Sequence, residues 1–199
     1  GYPGEVKRES AKAIILSSDM EKTGSFTCSD NRLVRLQKNI FHSQQGNMIS
    51  IPTDCPQRER AGWTGDIQIF APTACFNMNM YSFLNRWLRN VRLEQYENGG
   101  IPNIVPFIPS YNSFSNGEQM PASAGWGDAI TIIPWVLYEQ YGNVETLKVN
   151  YPAMKKWVEY IRNSAESGCA LDVDSNDYDR MARQKYLWNT GQNLGDWLI

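Results

Sequence analysis

Residues 54–66, DCPQRERAGWTGD, combine three carboxylates, two arginines and one tryptophan within thirteen positions. Pro52 and Pro56 lie at the front of this stretch, and Gly62 and Gly65 lie near its end. Prolines and glycines so placed oppose a continuous helix and predict a shaped loop. Loops of mixed charge on a rigid scaffold often aim their side chains into a cleft. The stretch is therefore the first candidate for a functional site.

Glu59 is the central acid of this loop and has an arginine on each side. If residues 57–60 run extended, Arg58 and Arg60 point away from Glu59, because side chains alternate along an extended chain. Glu59 would then face a different environment from its neighbours. The alternative interpretation is a polar loop cross-linked by arginine–carboxylate pairs, since structural ion pairs also perturb pKa values. The residue types alone leave both interpretations open.

Glu59 also has neighbours that suit a proton donor. A carboxylic acid that donates a proton near neutral pH needs a raised pKa, which apolar burial or nearby negative charge can supply. Trp63 would supply the apolar surface, and Asp54 and Asp66 would supply the charge. General acid chemistry is therefore one function that the loop indicates.

The order of residues 53–66, TDCPQRERAGWTGD, resembles the central motif of bacterial and fungal α-L-rhamnosidases. These are glycoside hydrolases whose catalytic domain is an (α/α)6 barrel. The resemblance implies hydrolysis of a terminal, non-reducing α-L-rhamnosyl bond with inversion. An inverting enzyme needs a second carboxylate that activates water, roughly 6.5 to 9.5 Å from the acid. In the family this base lies in the later half of the barrel, outside this chain.

The same resemblance implies a role for each side chain of the loop. Glu59 corresponds to the general acid, and Trp63 to a wall of the rhamnose pocket. Asp54 and Asp66 correspond to residues that hold sugar hydroxyls. We also place Arg58 among the substrate-binding residues.

Two further segments combine glycine, aspartate and tryptophan at the start of predicted helices: GWGD at residues 125–128 and GDW at residues 195–197. Glycine lets a ligand approach the backbone, and tryptophan offers an apolar face to a sugar ring. A helix cap beside a core tryptophan is the alternative interpretation. The rhamnosidase family also carries GWGDA and GDW segments, and this resemblance implies that Trp126, Asp128 and Trp197 bind substrate.

The composition favours an uncharged ligand. The chain has 19 basic and 21 acidic residues, with a formal net charge of −2 and a pI near 5.5. Because no run of lysine and arginine is present, nucleic acid and anionic membranes are unfavourable partners. The expected partners are rhamnose-containing oligosaccharides, polysaccharides or glycosides.

The sequence predicts neither a metal site nor a cofactor. Cys28, Cys55, Cys75 and Cys169 are too widely spaced for a zinc motif, and His42 is the single histidine. We expect reduced, structural thiols. No segment reaches the roughly eighteen consecutive apolar residues of a membrane span. A soluble protein is therefore expected, without a choice among bacterial cytoplasm, periplasm and secretion.

Helical patterns dominate the sequence from residue 27 onward. They predict an all-α fold, and the resemblance implies that residues 27–199 are the N-terminal half of an (α/α)6 barrel. Residues 11–17, AKAIILS, form a short β-branched run that predicts a buried strand. Because no later segment offers it a strand partner, residues 1–26 are expected to be the end of a truncated β-domain and its linker.

The first predicted helix begins after an N-cap at Ser29 or Asp30. Leu33 and Leu36 belong to its apolar stripe, which is expected to be buried, and Gly46 ends it.

The second helix follows a cap at Thr64 and runs over residues 66–77. It has Asp66 in its first turn, where the helix dipole favours the charged carboxylate. The remaining helices are predicted at residues 81–96, over about sixteen residues after Ser123, at residues 144–164, and from residue 194 onward. The helix at 144–164 is expected to be interrupted at Pro152 and to bury Val158.

Residues 101–121 contain four prolines and no helical period, and a loop of this length predicts a rim or lid. A half barrel would leave apolar helix faces uncovered, so self-association through those faces is expected. Three alternatives stay open: another (α/α)-barrel glycosidase specificity such as one for glucosides, a noncatalytic sugar-binding helical module, and a purely structural helical scaffold.

Overall fold

The computed structural model describes residues 4, 7–113, 116–168, 182–191 and 194, and helices make up most of this described part. After a 3-10 turn at Arg8–Ser10, the elements are α1 (Asn31–Asn47), β1 (Met48–Ile49), β2 (Ile51–Pro52), α2 (Thr64–Asn77), α3 (Tyr81–Glu94), the short α4 (Pro109–Asn112), α5 (Ala129–Tyr141) and α6 (Val144–Ser167). The predicted all-α class is confirmed.

The hydrophobic core lies where α5 packs against α2, α3 and α6. The apolar positions of α3 recur with helical spacing, so they form one buried stripe. Its buried side chains are Leu84, Trp87, Leu88 and Val91. From α5, the fully buried aliphatic side chains are Ile130, Ile133 and Leu137. Residues 182–191 return Trp188 to α6, where its ring meets those of Trp157 and Tyr160 edge-on.

The first helix has the predicted start but not the predicted buried stripe. Asp30 is its N-cap, and the Asp30 carboxylate accepts a hydrogen bond from the backbone N–H of Arg32 at 2.8 Å. However, Leu33 is 49% exposed and Leu36 is 54% exposed. An amphipathic pattern specifies an apolar face, but the face is buried only where a neighbouring element covers it. In the described structure, Gln44 is the buried residue of α1.

The strand predicted at residues 11–17 is wrong. Those residues form no strand, and Ile14, Ile15 and Leu16 are 76%, 93% and 69% exposed. A strand requires a partner for its backbone hydrogen bonds, and no other described segment pairs with residues 11–17. The sequence analysis missed the antiparallel hairpin of β1 and β2, whose turn residue Ser50 has a φ of 66°. The assignment of residues 1–26 to a β-domain stays a prediction.

The later helices differ from their predicted bounds. α5 begins at Ala129 rather than after Ser123, because residues 124–128 form a turn. α6 continues without interruption through Pro152, and Val158 on it is 55% exposed rather than buried. Packing of α6 against α5 and α3 therefore outweighs the cost of about 3 kcal/mol that an interior proline imposes.

Candidate active site

The 54–66 loop is folded by its own side chains. Asp54 Oδ1 accepts a hydrogen bond from the backbone N–H of Ala61 at 3.0 Å, and the Asp54 N–H donates to the Ala61 carbonyl at 3.1 Å. Residues 56–59 form a turn, and Arg60 has a φ of 52°. The extended course assumed for residues 57–60 is therefore wrong. Asp54 closes the loop with Oδ1.

A second segment supports the loop from behind. The Val105 N–H donates to the Gly62 carbonyl, and the Thr64 N–H donates to the Asn103 carbonyl, both at 2.9 Å. A Cβ at Gly62 would lie 2.0 Å from the Val105 carbonyl oxygen, so only glycine permits this approach. Residues 101–105 are buried. This part of the predicted rim is thus a supporting wall.

The second helix begins two residues earlier than predicted, and its cap is different. Trp63 is the N-cap residue of α2 and makes no side-chain cap bond. The Thr64 hydroxyl, the predicted cap, instead donates to the Asn103 carbonyl at 3.0 Å. Thr64 is fully buried, so its hydroxyl needs a protein partner, and the wall behind the loop supplies one.

Glu59 and Trp63 are joined directly. The indole N–H of Trp63 donates to Glu59 Oε2 at 2.7 Å, and both side chains are half-buried. The sequence analysis assigned Trp63 only an apolar role and missed this hydrogen bond. The bond engages Oε2 of the carboxyl group. Glu59 is also held through its backbone N–H, which donates to Cys55 Sγ at 3.2 Å.

Among the described residues, neither arginine of the loop is paired with an acid. Arg58 and Arg60 are exposed, and the ion pairs in the described part of the chain involve only residues of α6 and the start of α1. The alternative interpretation of an ion-paired polar loop is therefore not seen among the described residues. A substrate contact by Arg58 stays a prediction.

Asp66 lies in the first turn of α2, and its pKa is raised above the ordinary value of 3.8. Burial of the carboxyl group is the largest cause, and the negative charges of Asp54 and Glu59 add to it. The residue as a whole is exposed to solvent. The helix dipole acts in the opposite direction and favours the charged carboxylate, but burial and the two like charges outweigh it. A charged Asp66 at neutral pH stays a prediction.

A groove of about 730 Å³ runs along this side of the molecule. Asp54, Trp63 and Asp66 contribute to its lining, together with apolar side chains of α1, β1 and α2. These apolar residues include Leu36, Ile40, Met48, Ile67 and Phe70. Hydroxyl acceptors beside an apolar wall suit a ligand with both hydroxyl and hydrocarbon surface. Glu59 does not line the groove itself, but its carboxyl group is hydrogen-bonded to Trp63, which does.

The GWGD segment lies against the start of α2. A Cβ at Gly65 would lie 2.8 Å from the indole nitrogen of Trp126, so the absence of a side chain at Gly65 lets Trp126 lie there. The Gln68 amide donates to the carbonyl of Gly125. The structure therefore brings Trp126 against Gly65, the residue before Asp66. The sequence analysis did not single out Gln68, because a glutamine within an apolar helix carries no motif.

Asp128 is engaged by the protein through both carboxyl oxygens. Oδ2 accepts from the Gly125 N–H at 3.0 Å, and Oδ1 accepts from the indole N–H of Trp157 at 2.9 Å. Asp128 thus connects the GWGD segment to α6. A direct sugar contact by Asp128 stays a prediction. Trp197, the third residue of this set, lies outside the described residues.

The described residues include no group of three or more His, Cys, Asp or Glu side chains that could hold a metal ion. Cys28, Cys55 and Cys75 are free thiols. Burial raises the pKa of the Cys75 thiol to about 11. In the same part of the chain, no helix has the length and apolarity that crossing a membrane requires.

Both a family model and individual relatives identify α-L-rhamnosidases as the proteins that this chain resembles. The family model for the bacterial α-L-rhamnosidase six-hairpin glycosidase domain matches residues 21–199. An α-L-rhamnosidase of Formosa agariphila is 48% identical over 150 residues, which are 75% of this chain and 15% of that protein. The chain therefore spans about a seventh of that relative's length.

Two solved structures are similar to this one. The α-L-rhamnosidase from Dictyoglomus thermophilum has a TM-score of 0.72 and 37% identity, covering 83% of this chain and 18% of that one. The Streptomyces avermitilis α-L-rhamnosidase, crystallised with L-rhamnose, has a TM-score of 0.69 and 36% identity, covering 74% of this chain and 14% of that one. This chain belongs to the bacterial α-L-rhamnosidase six-hairpin glycosidase family, and its helices form part of that domain.

Proposed function

We propose that this chain is the acid-bearing part of a longer α-L-rhamnosidase, which hydrolyses terminal non-reducing α-L-rhamnosyl bonds. The observation that carries the proposal is the hydrogen bond at Glu59. Its carboxyl group accepts a hydrogen bond from the Trp63 indole N–H at 2.7 Å, and Trp63 lines the same groove as Asp54 and Asp66. Similarity to rhamnosidases, one of them crystallised with L-rhamnose, supports the substrate class. Its substrates are rhamnose-containing oligosaccharides, polysaccharides or glycosides.

In the proposed reaction, Glu59 gives the proton on Oε1 to the glycosidic oxygen as the bond from that oxygen to the anomeric carbon breaks. Trp63 orients the acid by donating to Oε2. Asp54 and Asp66 accept hydrogen bonds from sugar hydroxyls, and Trp126 offers apolar surface to the sugar.

The second carboxylate of the proposed inverting mechanism lies outside this chain. It activates a water on the opposite face of the sugar, roughly 6.5 to 9.5 Å from the acid. Asp128 is a poor base because the Gly125 and Trp157 N–H groups already bond both of its oxygens. One carboxyl oxygen of Asp54 already accepts the hydrogen bond from the Ala61 N–H that closes the loop.

A substrate screen of the complete enzyme tests the proposal. We expect aryl α-L-rhamnoside to be hydrolysed, and aryl glucosides, included as controls, to remain intact. NMR of the first product should show β-L-rhamnose, the inverted anomer. Preference for glucosides would identify another glycosidase specificity, and binding of L-rhamnose without turnover would identify a sugar-binding module.

A further inference from the structure

Gln68 is a buried amide that the proposed reaction does not use. It lies in the second turn of α2 and is 7% exposed. Nε2 donates to the Gly125 carbonyl, whereas Oε1 is buried without a hydrogen-bond partner among the described residues. A buried polar atom without a partner costs about 1 to 3 kcal/mol. An amide at this position therefore needs a further partner.

A matching atom lies in the segment that Gln68 contacts. The indole nitrogen of Trp126 is also buried without a partner among the described residues. One of these atoms is an acceptor and the other is a donor, so each can satisfy the other.

Both side chains adjoin the same glycine. The Trp126 indole nitrogen is 2.8 Å from where a Cβ of Gly65 would lie. Gln68 follows Gly65 by three residues, which puts the two positions on one face of α2. Its Nε2 already contacts Gly125, the residue before Trp126. Since Nε2 must face that carbonyl, Oε1 is the amide atom left for the indole N–H.

We propose that Gln68 is a positioning residue of the rhamnosidase site, an inference that rests on the function proposed above. Its amide holds the GWGD segment at two points: Nε2 on the Gly125 carbonyl, and Oε1 on the Trp126 indole N–H, directly or through one shared water. Asp128 holds the Gly125 N–H from the other side. Gly125 is thereby fixed at both of its backbone polar groups, and Trp126 is fixed against Gly65 at the start of α2.

Kinetics of the complete enzyme test this role. Gln68→Met keeps the length of the side chain and removes both polar atoms. We expect KM for aryl α-L-rhamnoside to rise about 5- to 20-fold, as expected for roughly one lost hydrogen bond, with kcat within about threefold. Gln140→Met, the same change at an exposed position of α5, should leave both constants unchanged. An unchanged KM in Gln68→Met, or a loss confined to kcat, would overturn the proposal.

A crystal structure of the wild-type complete enzyme tests the contact without depending on activity or on the folding of a variant. The expected result is Trp126 Nε1 within about 3.2 Å of Gln68 Oε1, or a single water bonded to both. Either atom bonded to a different partner would overturn the proposal. If the wild-type enzyme did not hydrolyse aryl α-L-rhamnoside, the proposed function would fail while this contact would still be decided.

Discussion

At Glu59, one indole N–H distinguishes the two carboxyl oxygens. Oε2 accepts a hydrogen bond from Trp63 at 2.7 Å, so Oε1 is the oxygen assigned to the proton transfer in the proposed reaction. Trp63 also lines the groove. One residue therefore orients the acid and forms part of the binding surface, and different substitutions separate the two roles.

Trp63→Phe removes the indole N–H and keeps most of the aromatic surface. We expect kcat on a substrate with a poor leaving group to fall about tenfold, the effect of roughly one hydrogen bond, with little change in KM. Trp63→Ala also removes the surface and should weaken binding by about 1 to 3 kcal/mol. Steady-state kinetics of both variants check this. A Trp63→Phe enzyme with wild-type kcat would show that the hydrogen bond does not serve the acid.

Asp66 is expected to lower the stability of the fold when it is charged. Because its pKa in the folded state is raised above 3.8, the native state binds more protons than the unfolded state, and the free energy of unfolding falls as pH rises through the folded pKa. Asp66→Asn should therefore raise the thermal midpoint at pH 7 and have a smaller effect at pH 3. Thermal denaturation at both pH values measures this. An equal decrease of the thermal midpoint at both pH values would contradict burial and like charge as the cause of the raised Asp66 pKa.

The sequence predicted those elements whose local pattern and final environment agree. The α3 stripe around Trp87 became core, and the Asp30 cap opened α1 as expected. Predictions failed where a distant segment decides the outcome. The residue 11–17 strand lacks a partner among the described residues, residues 101–105 of the predicted rim became a buried wall behind the 54–66 loop, and α6 overrides Pro152 through its packing.

At the candidate site, too, the local pattern was predictable and the contacts with other segments were not. The residue types at Glu59, Trp63 and Asp66 were visible as a motif, but their contacts were not. The Trp63 hydrogen bond depends on a turn at residues 56–59, and the direction of the Asp66 pKa depends on burial. Gln68 could not be found from sequence, because its role depends on a segment 57 residues further along the chain.

The GWGD segment and α3 each contribute a tryptophan, but only one belongs to the core. Trp87 is 1% exposed and its indole N–H donates to the Val105 carbonyl, whereas Trp126 is half-buried against Gly65. We expect Trp126→Ala to weaken rhamnose binding by about 1 to 3 kcal/mol and to lower stability much less than Trp87→Ala, whose cost is about 3 to 5 kcal/mol. Calorimetry and chemical denaturation measure the two effects. Equal destabilisation would assign Trp126 to the core.

Across the whole molecule, apolar surface is exposed beside the candidate site. Leu36 on α1 is 54% exposed and Ile69 on α2 is 76% exposed, and both line the groove. The chain corresponds to about a seventh of its Formosa relative. Further elements that cover this surface, and that supply the second carboxylate, are part of the proposed complete enzyme.

The isolated 199-residue chain is therefore expected to show no measurable rhamnosidase activity. It contains the proposed acid but lacks the proposed general base, whose assistance typically raises the rate by a factor of about 10² to 10⁴. Its exposed apolar faces are also expected to cause self-association, which sedimentation would detect. Turnover of aryl α-L-rhamnoside near that of an ordinary glycosidase would show that a base within this chain completes the site.

The most direct measurement of the central claim compares leaving groups in the complete enzyme carrying Glu59→Gln. If Glu59 is the general acid, kcat on a rhamnoside with a poor leaving group falls by about 10² or more, because that oxygen needs protonation. An activated aryl rhamnoside should lose much less, since its leaving group departs without a proton. Equal losses on both substrates, or unchanged turnover on both, would contradict the assignment of Glu59 as the acid.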